Sequence, residues 1–264
     1  MGADILIQFG GPCRLGYYGE LQESILRDLG YEFEMLNFAT VTGKPLQEYL
    51  TICKEKVNPN LSIPQGVKQF LALLKMVEYL DSYNDVYLEK AGFETEHGSF
   101  KRAREDFFAD MRAATSLSEI TAAYKQGMSV LNELPINEPV DPIRIGIIGD
   151  YFTAADAHSN LGIEEKFIGM GVSLARYMNI THRNLHYNEE NLRRGISEYV
   201  KYDMGPTSTM NIAAAKSYAE KGFDGIVHLK SAGCTPEIDV MPVLQRISDY
   251  YHLPILYLSY DSQT

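Results

Sequence analysis

Three features of this 264-residue sequence predict an α/β fold: two Rossmann- or flavodoxin-like parallel-sheet units with a helical insert. Short apolar runs at residues 3–9, 143–148, 225–229 and 254–258 are bounded by Gly or Pro, as strands buried in a parallel sheet are. Helical patterns alternate with them, the arrangement of strand–helix–strand connections. Between the two sets lies a long, strongly charged helical stretch. The expected division is residues 1–64 as the first α/β unit, 65–136 as the helical insert and 137–264 as the second α/β unit.

The first strand, 3–9, is broken by Gly10-Gly11-Pro12. A helix over 17–29 follows, with Leu21, Ile25, Leu26 and Leu29 on one face and Gly30 as its stop. Residues 32–38 alternate apolar and polar as a second strand. A looser stretch runs through Pro45, Pro59 and Pro64. From 66 to 134 the pattern is helical. Phe70, Leu73, Leu74, Val77 and Leu80 form one stripe, and Phe107, Met111, Ala114, Leu117 and Ile120 mark another helix or a pair. Residues 137–142 read as a linker.

The second unit opens with the near-continuous apolar strand 143–148, ended by Gly149-Asp150-Tyr151. The spacing then predicts a helix over 162–178, a strand near 182–187 and a helix over 213–221. The strand 225–229 ends at Ala232-Gly233-Cys234, a helix over 236–250 follows, and 254–258 is the last strand.

Composition narrows the function classes. Hydrophobic residues at 45% and charged residues at 22% are a globular balance, and 18 Tyr and 11 Phe supply aromatic bulk in the absence of Trp. A net charge of −11 argues against general affinity for nucleic acid, which needs a basic surface. No apolar run approaches the ~20 residues of a membrane span, and no signal peptide is visible, so a cytoplasmic location is expected. Three cysteines are too few for a disulfide framework.

Cys13 and Cys234 occupy equivalent places: each follows a strand and a Gly-containing turn and precedes a helix. Ligands in open α/β sheets bind at the carboxyl ends of strands, and a thiol at a helix N-terminus ionises more readily to the thiolate that ligates metal. Either cysteine can equally be a small buried residue in a tight turn. Cys53, without Gly or Pro beside it, reads as a helix-face core residue. Arg14 offers a cation beside Cys13 for an anionic group, or a surface ion pair. Asp150 is either a site acid or a helix cap. Gly146-Ile147-Ile148-Gly149 is a weak phosphate motif because G-x-G-x-x-G is absent, and no P-loop is present. His182 and His186 lie four residues apart without a zinc-binding pattern.

Residues 11–22, Gly-Pro-Cys-Arg-Leu-Gly-Tyr-Tyr-Gly-Glu-Leu-Gln, followed by Leu26-Arg27-Asp28-Leu29-Gly30-Tyr31, resemble the signature of the activase-related proteins of the 2-hydroxyacyl-CoA dehydratase family. So do residues 222–228, Gly233-Cys234-Thr235-Pro236-Glu237, Pro254-Ile255-Leu256 and Asp261-Ser262-Gln263-Thr264. The resemblance implies an iron–sulfur cluster, 4Fe–4S or double-cubane, held by cysteines that here would include Cys13 and Cys234; Arg14 and Asp150 are the further candidate cofactor-binding residues from their own positions. It implies low-potential electron transfer to a CoA thioester, an ATP-dependent activator protein as partner and a homo- or heterodimer. The alternative is a scaffold or regulatory module that binds the activator without a cluster. Residues 205–209, Gly-Pro-Thr-Ser-Thr, depart from the family's Gly-His-Gly-Gln-Glu-Ser. The family's further Cys-Pro block lies upstream of its Gly-Ala-Asp strand, so the resemblance also implies a fragment that lacks cluster ligands.

Overall fold

A computed structural model of the chain describes residues 4–9, 14–38, 51, 54–55, 58–60, 62–186, 188–202 and 204–261. The chain is α/β with parallel sheets, and it divides into two compact units, residues 1–67 and 68–264.

In the first unit, β1 (Ile5–Phe9) and β2 (Glu34–Phe38) pair in parallel, with Ile5 opposite Glu34. They are joined by α1 (Tyr18–Asp28), which follows a short 3-10 turn, Arg14–Tyr17. Gly30, at φ 82°, ends α1 in a Schellman arrangement: its amide donates to the Arg27 carbonyl, and the Tyr31 amide donates to that of Leu26. Leu21, Ile25 and Leu29 of the predicted apolar face remain 44%, 50% and 67% exposed.

The helix α2 (Ile63–Lys90) spans the boundary at residue 68, and the second unit goes on through α3 (Ser99–Ala113) and α4 (Leu117–Glu133). Ser116 caps α4 by accepting from the Glu119 amide, while the Glu119 carboxylate turns back to the Thr115 amide at 2.7 Å. The sheet strands are β3 (Arg144–Gly149), β4 (Ser173–Arg176), β5 (Gly225–Ser231) and β6 (Ile255–Tyr260). All pair in parallel, in the order β4-β3-β5-β6. The connections carry α5 (Tyr151–Ala155), α6 (Ile163–Ile168), α7 (Glu189–Gly195), α8 (Pro206–Glu220) and α9 (Thr235–Tyr251).

Side chains of a strand alternate between faces, so each strand feeds two cores. Ile147, Leu174, Val227 and Leu229 pack with Tyr83, Tyr87, Leu88, Phe100, Phe107, Met111 and Leu131 of α2, α3 and α4. Ile148 and Ile226 pack with Ile212 and Ala215 of α8 and with Val240, Leu244 and Ile247 of α9. Two glycines permit these approaches. A Cβ at Gly127 would lie 2.5 Å from the Phe107 ring, and one at Gly146 would enter the Tyr218 ring.

The stretch 162–187 differs from its sequence reading. The helix predicted over 162–178 ends at Ile168, and Gly171 at φ 74° turns the chain into β4. The strand expected near 182–187 is a π-helical turn, Thr181–Leu185. Its start is fixed by the Asp81 carboxylate, which accepts from the Thr181 amide and hydroxyl at 2.8 and 2.6 Å. Among the described residues, no helix is long and apolar enough to cross a membrane.

Candidate functional site

From β3 the chain crosses to β4 on one side, then returns to β5 on the other. Such a reversal opens a crevice beyond the carboxyl ends of the two strands between which it occurs, here β3 and β5. Gly149 closes β3 at φ 147°, where an added Cβ would collide with the Leu229 carbonyl. This close approach lets Asp150 reach across the crevice. Its Oδ2 accepts from the Ser231 amide at 2.6 Å and its Oδ1 from the Thr153 amide at 2.8 Å, capping α5. Asp150 therefore has the capping role as well as a place at the crevice.

Cys234 stands at the N-cap of the 17-residue helix α9, immediately beyond β5, and is partly buried. The Ile238 amide bonds its carbonyl at 3.1 Å. Behind it lies a buried polar group. Glu237, in the first turn of α9, has no exposed surface. Its Oε2 is 2.7 Å from Nε2 of His228 on β5, and both its oxygens accept from Nδ2 of Asn211 on α8 at 3.0 and 2.8 Å.

Asn211 also takes the place of a neighbouring strand. Pairing of β4 with β3 stops at Ile147, and the Asn211 amide then pairs with Gly149: Oδ1 accepts from its N–H, and Nδ2 donates to its carbonyl, both at 3.0 Å. Burial raises the Glu237 carboxyl above its ordinary pKa; the bonds from His228 and Asn211 oppose the rise, and the nearby Asp150 charge adds to it. The second ring nitrogen of His228, Nδ1, and the Tyr257 hydroxyl are buried without partners among the described residues, and their rings meet edge-on at 5.5 Å. The ring tautomer sets which of Nε2 and Oε2 donates in their contact.

α8 and α9 begin side by side, since the Ser208 hydroxyl donates to the Pro236 carbonyl at 3.0 Å. A cavity of about 420 Å³ opens beside the first turn of α8, lined in part by Arg193, Arg194, Lys201, Tyr202 and Thr209.

The other sequence candidates divide as follows. Cys13 and Cys53 lie outside the described residues, and the Arg14 side chain does as well, although its backbone starts the 3-10 turn. His182 Nδ1 lies 2.9 Å from the Tyr177 carbonyl, and its ring stacks on Tyr177. Asn211, Glu237 and His228 were not singled out from the sequence; the legible signal was a His inside an otherwise apolar strand.

A comparison with protein-family models and with curated proteins finds no match to this chain. Among the described residues, no group of three or more His, Cys, Asp or Glu side chains could hold a metal ion.

Proposed function

We propose that the chain is an iron–sulfur electron-transfer component related to the 2-hydroxyacyl-CoA dehydratases and their activase-related proteins, with Cys234 and Cys13 as cluster ligands. The observation that supports this reading is the placement of Cys234: a partly buried thiol, at the N-cap of a long helix, at the carboxyl end of a central parallel strand. The helix dipole favours the thiolate, and the Asp150–Ser231 bond and the Glu237–Asn211 group fix the turn that carries it.

When bound, a cluster supplies a low-potential electron. The chain's own residues would hold the thiolate, keep the turn rigid and leave Ala232 and Gly233 open to the approach of a bulky group. The strand order β4-β3-β5-β6 is that of the first four strands of a flavodoxin-like sheet, which supports the finer fold reading, with α2 to α4 as the helical insert. Arg193, Arg194 and Lys201 around the cavity offer cations for the phosphates of an acyl-CoA. An ATP-dependent activator as electron donor, a dimeric assembly and a cytoplasmic setting belong to the same reading.

The test is anaerobic reconstitution with iron and sulfide in the presence of a small thiol able to fill open ligand positions. The expected outcome is a brown protein-bound chromophore that is lost in Cys234→Ser and in Cys13→Ser and kept in Cys53→Ser. A chromophore unchanged by Cys234→Ser refutes the assignment. No chromophore at all, with binding to an activator retained, identifies a cluster-free regulatory module instead.

A further inference from the structure

The four-stranded sheet ends on β6, and the outer edge of this strand is open among the described residues. The ladder to β5 fixes which backbone groups face outward. The Ile226 amide donates to the Pro254 carbonyl, and the Ala232 amide donates to the Tyr260 carbonyl. In a parallel ladder, alternate residues of a strand turn both backbone groups to the same neighbour. Leu256, Leu258 and Tyr260 therefore bond to β5, whereas Ile255, Tyr257 and Ser259 aim their N–H and C=O groups away from it. None of these outward groups meets a backbone partner among the described residues.

The side chains leave the edge unguarded as well. Natural sheet edges are blunted by short length, a charge, a proline, a bulge or a covering segment. The opposite edge has such protection. β4 spans four residues and ends on Arg176, and the turn at Gly92 lies so close that an added Cβ would fall 2.5 Å from the Val172 carbonyl oxygen. β6 runs Ile-Leu-Tyr-Leu-Ser-Tyr, with no charge or proline in its six residues and no break in its register. Leu256 is 51% exposed on it, on the face where Leu258 and Tyr260 join the core of α2, α3 and α4.

A second copy of the same strand fits this edge. In an antiparallel pair the outward-facing residues must oppose one another. A two-fold axis at Tyr257 sets that residue against its counterpart and Ile255 against Ser259, each pair exchanging both backbone bonds. The same register lays Leu256 beside Leu258 of the second copy, which covers the exposed leucine. Every facing pair is uncharged, so the seam opposes no like charges although each molecule carries a net charge of −11.

We propose that two copies of this chain associate through their β6 edges, antiparallel about Tyr257, so that their four-stranded sheets form one continuous sheet. The seam uses no candidate cluster ligand, so cluster-free protein tests it separately from the electron-transfer reading. Sedimentation velocity and amide hydrogen exchange are measured on the full chain over about a hundredfold range of concentration, centred on the micromolar dissociation constant expected of a small interface. The expected result is a reversible change from monomer to dimer mass, with slowed exchange of the Ile255, Tyr257 and Ser259 amides in the dimer. Ser259→Pro removes one outward N–H and leaves the ladder to β5 in place, and Leu256→Lys sets a charge beside Leu258 of the second copy. Each should raise the dissociation constant about tenfold or more. A chain that stays monomeric across the range overturns the proposal and leaves the edge to a strand from a different protein. A dimer in which the three amides exchange as fast as in the monomer overturns it too, whether or not the variants fold. Undiminished self-association of folded Leu256→Lys protein does the same.

Discussion

Replacing Asn211 by Leu keeps the side-chain volume nearly constant but removes all the polar contacts that this residue makes. Three buried groups then lose a partner: the Gly149 N–H, the Gly149 carbonyl and the Glu237 carboxylate. Asn211 is 1% exposed and Glu237 is fully buried, so solvent is poorly placed to substitute. An unsatisfied buried polar group costs roughly 1–3 kcal/mol, and a carboxylate lies at the upper end. Partial relaxation of the Gly149 turn offsets some of this, and the expected loss is on the order of 4 kcal/mol. In urea unfolding followed by far-UV circular dichroism, that loss lowers the midpoint by about 1–2 M at unchanged slope. A midpoint within about 0.3 M of the unaltered chain would refute the reasoning, because it would mean that Gly149 and Glu237 do not depend on Asn211.

Two further outcomes follow from the same kind of reasoning. Because burial raises the Glu237 carboxyl above its ordinary value, the native state keeps a proton that the unfolded chain has released. The associated stability is present at acidic pH and declines as pH rises through the ordinary carboxylate range toward the folded value. Glu237→Gln should therefore gain stability relative to the unaltered chain as pH rises from the ordinary carboxylate value of about 4, and urea midpoints that stay parallel over that rise would contradict this. In the other core, the Tyr83 hydroxyl is buried without a partner among the described residues, while its ring stacks on Phe107 at 3.9 Å. Tyr83→Phe should keep the stack and stabilise the protein by about 1 kcal/mol in thermal or urea unfolding; a clear destabilisation would reveal an acceptor for that hydroxyl.

The strands β3, β5 and β6 are legible in the sequence because each is an apolar run flanked by turn residues, the pattern of a strand covered on both faces. β4 is not legible, for a physical reason. Only Ser173–Arg176 pairs, and Ile163, Phe167 and Ile168 before it carry apolar spacing that continues in register across Gly169 and Gly171 to Val172 and Leu174. The window thus imitates one long helix, and only the positive φ at Gly171 separates its halves.

Cys234 and Asp150 are readable as strand-end residues from local context. The group behind them is not, because Asn211, His228 and Glu237 come from α8, β5 and α9, and no local spacing announces that their polar atoms meet.

The helices on the Val227–Leu229 face of the sheet also bear on the order in which this chain acquires structure. α2, α3 and α4 precede every strand of the four-stranded sheet, yet they share its core. During synthesis their aromatic residues emerge before Ile147, and well before Val227 and Leu229. Tyr83 stacked on Phe107, Tyr79 stacked on Tyr124 and the close approach of Gly127 to Phe107 use only residues within these helices. Such local contacts form quickly, whereas β3 meets β5 at a sequence separation of 80, that of Ile145 and its partner Gly225. The helical layer is therefore the part expected to condense first, as an apolar floor for the later central strands.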